Sequence, residues 1–127
     1  MAFDHEKLDV YPVAIEFIGN ADTIIENFPP GRGYLADQLR RAALSIVLNL
    51  GEGAARFSPG DKAVFYTRAR ASASECSAAL DVAARFRIVD RITVSQNKEL
   101  LARISMMLLN LIKSKKPAPA PAPAPGS

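Results

Sequence analysis

Apolar residues near the start of the chain recur at helical intervals in two series. Leu8, Tyr11, Ile15, Ile18 and Ile25 form one, and Val10, Ala14, Phe17, Ala21, Ile24 and Phe28 form the other. Projected around a helix they cover an arc of roughly 200°, about twice the apolar stripe that a helix needs to face one core. A helix over residues 8–28 is therefore expected to carry two seams, the second covered by something beyond its own core. Pro12 fits a first turn, and Phe28-Pro29-Pro30-Gly31 ends the helix.

The same spacing predicts three more helices. Over 34–55, Leu35, Leu39, Ala43, Ile46 and Leu50 face the core and Leu44, Val47 and Leu48 widen that face. Opposite them Arg41, Ser45, Asn49, Glu52 and Arg56 recur as a polar line on one side of the helix. Ser58 with Pro59 announces a third helix over 59–86. Its stripe is mostly small: Phe65, Ala69, Ser72, Cys76, Ala79, Leu80 and Ala83. Arg87 to Ile92 reads as a connection, and Thr93 with Gln96 suggests a capping box opening a fourth helix over 94–115. That helix presents Leu101, Ile104, Met107, Leu108 and Leu111, and it closes on Lys113, Lys115 and Lys116. No strand pattern competes. Four such helices with short links predict an all-α, antiparallel up-and-down four-helix bundle.

Composition narrows the reading. Residues 117–127, PAPAPAPAPGS, cannot join a helix or sheet and act as a semi-rigid spacer of expression or fusion origin, with Met1-Ala2 of the same origin. Residues 1–116 form the bundle, one domain's worth of chain. One cysteine, Cys76, gives no intramolecular disulfide and no metal cluster, and it reads as a small buried hydrophobe. There is no run long enough to span a membrane, and Asp4, His5, Glu6 and Lys7 stand where a signal peptide needs bases and an apolar run. A cytoplasmic protein without membrane contact is expected.

The net charge of +3 is unevenly placed, at −5 over residues 1–31 and +8 over 32–127. A basic surface attracts nucleic acid, and an acidic helix beside basic ones equally suits packing between helices or subunits.

Catalytic chemistry finds little material. His5 is the only histidine, so no His-based triad or histidine metal site is expected, and Gly51 and Gly53 lack the Lys and Ser/Thr of a nucleotide loop. Glu52 and Glu75, on consecutive helices, are the best acid pair. A hydrogen-bonded network of Arg41, Ser45, Asn49, Glu52 and Glu75 that sets helix register explains them better. No enzyme, cofactor or metal is expected. Ten of the sixteen bases are arginine, whose planar fork suits phosphate, and Arg40, Arg41, Arg56, Arg68 and Arg70 are the candidate nucleic-acid contacts on the second and third helices. Aromatic residues are not interleaved with them.

These residues resemble the four-helix-bundle family encoded in the intervening sequences of bacterial 23S ribosomal RNA genes. Gln38-Leu39-Arg40-Arg41-Ala42, Ser45-Ile46 and Asn49-Leu50-Gly51-Glu52-Gly53 are similar to its Q-L-R-R-A, S-I and N-I-A-E-G pattern. Leu8 with Val10-Tyr11, Phe28-Pro29, Phe65, Ala69-Arg70-Ala71-Ser72 with Glu75, and Met107-Leu108 with Leu111-Ile112 extend the likeness. Ala71 replaces the usual Gly, and Leu50-Gly51 replaces Ile-Ala. The resemblance implies a homopentamer, with Val10, Ala14, Phe17, Ala21 and Ile24 as the subunit interface, and family links with RNA and retroelement reverse transcriptases but no established reaction. Two readings follow: a homo-oligomer that binds RNA or DNA through a basic surface, or a scaffold module that binds another protein.

Overall fold

In the computed structural model, which describes residues 2–115, a short 3₁₀ turn over Asp4–Lys7 precedes four helices. These are α1 (Val10–Glu26), α2 (Gly33–Ala55), α3 (Pro59–Arg85) and α4 (Arg91–Ser114). The expected spacer over 117–127 lies outside the described residues. Each helix packs on two neighbours, α1 on α2 and α4, α3 on α2 and α4, and among the described residues the diagonal pairs do not meet. Gln38 lies against Glu75, Ser45 against Ser72 and Gly53 against Tyr66, so α2 and α3 run in opposite directions.

Helix starts follow local chemistry. Ser58 Oγ accepts the Asp61 backbone N–H at 3.1 Å with Pro59 in the first turn, as the sequence predicts for α3. The start of α4 differs from expectation. Asp90, not Thr93, is the N-cap: its carboxylate accepts the Thr93 N–H at 2.8 Å and the Thr93 hydroxyl at 2.7 Å. Aspartate caps more strongly than threonine, so the helix begins about one turn earlier. Those two bonds hold the Asp90 carboxyl below its ordinary value.

Leu39, Ile46, Leu50, Leu80, Ile104 and Leu108 fill the core, each buried side chain contributing about 1.5–3 kcal/mol. The closest approach is α2 on α3. Here Ala69, Ala73 and Cys76 present almost no bulk, and Tyr66 replaces Phe65 at the expected core position. A Cβ built on Gly53 would lie 2.7 Å from Tyr66 Cε1 and 3.1 Å from Phe65 Cβ, so only glycine lets the tyrosine ring seat on α2. Lys62 crosses back over this junction, donating from Nζ to the Ala54 carbonyl at 2.9 Å. Between α1 and α4 the core admits one polar side chain. Asn97, 5 % exposed, accepts from Asn20 Nδ2 at 3.1 Å and donates to the Thr93 carbonyl at 2.9 Å.

The two apolar series of α1 do not divide into a core seam and a subunit seam. Val10, Ala14, Phe17, Ala21 and Ile24, expected at a subunit interface, are buried in the core of the single chain. This corrects the expectation, because the series that turns into the core is the one containing Phe17, the largest fully buried side chain on the helix. Of the other series Ile25 is also buried, Leu8 and Ile18 pack on the margin of the core, Tyr11 is half-buried and Ile15 is 41 % exposed. Leu44 and Leu48 of α2 also leave the core, at 46 % and 58 % exposure, and with α1 they form an apolar seam that Phe3 and Val47 extend.

Two alanine substitutions two residues apart should act in opposite directions. Gly51→Ala meets open space and replaces a poor helix former, so it should raise stability by up to about 1 kcal/mol. Gly53→Ala collides with a fully packed ring and should lower it by about 1–2 kcal/mol despite the same propensity gain. Urea unfolding followed by far-UV circular dichroism measures both, and equal shifts would disprove the close-approach account.

Candidate nucleic-acid interface

The polar line on α2 divides into three parts. Its middle is internal: the Ser45 and Ser72 hydroxyls lie 2.8 Å apart across the α2–α3 seam, and Asn49 Nδ2 donates to the Ser45 carbonyl at 2.8 Å and its hydroxyl at 3.0 Å. These groups are half-buried and bonded, as polar atoms at a tight seam must be. Toward the C-terminal end Glu52 pairs with Arg56 at 3.2 Å on the surface. At the other end Gln38 reaches Glu75 at 3.4 Å, and Arg41 is exposed. The expected five-residue network is therefore not one network.

Nor do Glu52 and Glu75 form an acid pair. The residue opposite Glu75 is Gln38, fourteen residues and about 21 Å along the helix from Glu52. Among the described residues no group of His, Cys, Asp and Glu is arranged to hold a metal ion. No helix there is long and apolar enough to cross a membrane.

The five candidate arginines are also dispersed. Arg40 pairs with Asp37 at 2.7 Å. Arg56, just past the end of α2, and Arg68, one turn of α3 beyond Phe65, both stack on the Phe65 ring, at 4.6 and 4.9 Å from its centroid, so one aromatic ring does stand between two of the bases. Arg41 and Arg70 are exposed and meet no carboxylate among the described residues. Fifteen residues separate Arg41 from Arg56, about 22 Å of helix, so these side chains cannot close on one phosphate.

A denser basic group lies where the sequence predicts only a connection. Arg85, Arg87 and Arg91 are exposed and, with Ala84, Val89 and Asp90, line a surface hollow of about 390 Å³ at the α3–α4 turn. Arg85 and Arg91 also border a second hollow, about 640 Å³, between α3 and α4; on its rim Lys98 is held by Asp81 at 2.6 Å. Beside them the Arg32 guanidinium lies 4.6 Å over the Phe86 ring. The turn itself is a helix-ending motif in which the Arg87 N–H bonds the Ala84 carbonyl and the Ile88 N–H the Ala83 carbonyl. It requires a left-handed residue, and Arg87 supplies it with φ of 59°. Glycine is the usual choice there, and a side chain costs about 1 kcal/mol. The signal in the sequence is three arginines within seven residues, Arg85-Phe86-Arg87 and Arg91, divided between a helix end and a loop.

The described residues make a small all-α protein of four packed helices. The chain matches the family model of 23S rRNA-intervening sequence proteins over residues 6–110, and it belongs to that family. It is similar in fold to a crystal structure of a protein of unknown function from the S23 ribosomal protein family of Bacteroides thetaiotaomicron. The two share 20 % identity with a TM-score of 0.77, over 82 % of this chain and 98 % of that one. No curated protein matches the chain.

Cys76 is fully buried, and burial first, then the neighbouring Glu75 charge, push its thiol up to about 12. At pH 8 the thiol is held protonated, and the thiolate is the form that reacts. A disulfide reagent should therefore leave the folded protein unlabelled and react fully once urea unfolds it. Rapid labelling of the folded chain would disprove the seam packing around Cys76.

Proposed function

We propose that the chain is a non-enzymatic, cytoplasmic homo-oligomer, a pentamer as the resemblance implies, that binds RNA or DNA through the phosphates. The observation that carries this is the set of exposed arginines without acid partners among the described residues, Arg41, Arg70, Arg85 and Arg91 among them. A guanidinium already paired with a carboxylate must exchange one partner for another, whereas an unpaired one meets phosphate with two donors. The surplus of +8 beyond residue 31 adds a long-range attraction to any polyanion.

Fluorescence anisotropy of labelled RNA and DNA at two salt concentrations tests the reading. Affinity should fall steeply with salt as condensed cations are released. Arg41→Gln with Arg70→Gln should lessen the dependence of log Kd on log salt by about 1 for each phosphate left without its arginine. Absence of binding at low salt would refute the proposal.

The apolar seam of α1 and α2 favours self-association, and equally a scaffold role in which another protein occupies it. Leu44 lines one surface hollow with Ile18 and Leu48 another with Tyr11, both between α1 and α2, and clustered exposed apolar residues commonly mark interaction sites. Leu48→Glu places a charge in the seam without touching the core, so light scattering should report a smaller particle with unchanged helix content. An unchanged mass would move the interface elsewhere.

A further inference from the structure

We propose that the α3–α4 turn is a phosphodiester-binding element, with Arg85, Arg87 and Arg91 gripping the backbone of a single-stranded nucleic acid. The proposal rests on the nucleic-acid reading above and assigns it a site separate from Arg41 and Arg70. Three arginines line one hollow of about 390 Å³, and none pairs with a carboxylate among the described residues. Asp90 is the one acid lining that hollow, and both of its carboxylate oxygens are occupied by the N–H and hydroxyl of Thr93. Of the two acids in the adjoining hollow, Asp81 is held by Lys98, and Glu99 lies two turns of α4 beyond Arg91 and does not line the turn.

Arg87 carries the proposal furthest. Its backbone is in the left-handed region at a position where glycine fits without strain, and among the described residues its side chain makes no hydrogen bond, ion pair or ring contact. The fold alone gives no reason for arginine there, and strain without a structural return is characteristic of residues held for a ligand. Nucleic acid fits better than an acidic peptide because of the residue that stands between Arg85 and Arg87 in the chain. Phe86 is 43 % exposed and carries the Arg32 guanidinium on its ring, the kind of aromatic and cationic surface on which an unstacked base stacks. A peptide carboxylate would use the charges and leave the stacked pair idle.

The test compares three variants of the full chain with a fluorescein-labelled oligouridine and, as competitor, polyglutamate. Arg87→Gly should raise Tm by a few degrees, because it relieves the left-handed strain, and yet weaken RNA binding several-fold. Arg85→Gln with Arg91→Gln should weaken it at least tenfold and flatten the salt dependence by about 2. The third, Arg41→Gln with Arg70→Gln, should cost less. If the wild-type chain binds but Arg87→Gly and the Arg85/Arg91 variant bind as well as it does, the site is refuted while the nucleic-acid reading stands. If the Arg41/Arg70 variant alone loses binding, the site lies on α2 and α3 and the proposal falls. Polyglutamate competing as well as RNA at equal charge would make the turn a general anion surface and overturn the phosphodiester assignment. No binding by the wild type would remove both readings.

Discussion

The seating of Tyr66 on Gly53 sets the spacing of α2 and α3, and most of the remaining structure depends on that spacing. With a Cβ at residue 53 the ring would have to move, and it is among the most deeply buried side chains in the chain. Once the two helices are this close, only small residues fit between them farther along, which is why α3 offers Ala69, Ala73 and Cys76 where an ordinary bundle helix would offer leucine. Closeness also brings polar groups together. Ser45 and Ser72 meet at 2.8 Å because their backbones are near, and Asn49 completes the bonding that a half-buried hydroxyl needs.

The same geometry explains why features that look chemical in the sequence are inert. Cys76 is packed where its thiolate has no stabilising partner and a carboxylate neighbour. Glu52 and Glu75 lie at opposite ends of an antiparallel pair, each engaged with a neutral or cationic neighbour on its own level. A register of helix on helix decides which side chains can cooperate, and sequence spacing within each helix does not contain it.

That distinction separates what the chain makes legible from what it conceals. Helix existence, the core of α2 and the Ser58-Pro59 start of α3 are written in period, caps and turn residues, each a local property. Which α1 series turns inward is not local: both are apolar, and the choice follows from fitting Phe17 between α2 and α4. The exchange of Phe65 for Tyr66 is a shift of one residue that periodicity cannot resolve until Gly53 is known to lie opposite. Asn97 is illegible for a related reason. A single polar residue among leucines reads as helix surface, whereas Asn20 arrives to pair with it from a helix 77 positions away. The basic turn is hidden by segmentation, since Arg85 belongs to a helical pattern and Arg87 to a connection, and only the folded end brings them to one hollow.

Local rules and global structure agree almost everywhere here, and Arg87 is where they part. Natural chains keep such conflicts chiefly at sites under another demand. Elsewhere several ends use conventional chemistry: prolines and Gly31 after α1, and Ser58 and Asp90 at the starts of α3 and α4. The α3–α4 turn has the same backbone requirement as Gly31, a positive φ, and meets it with a long cation. Because the apolar seam lies on α1 and α2 and the basic hollow on α3 and α4, the two surfaces share no residue. Association through the seam would therefore leave the turns free, and an oligomer would present several of them to one strand. Linked sites on one strand act with a high effective concentration, so the proposed hollow would hold a strand more firmly in an oligomer than in a single bundle.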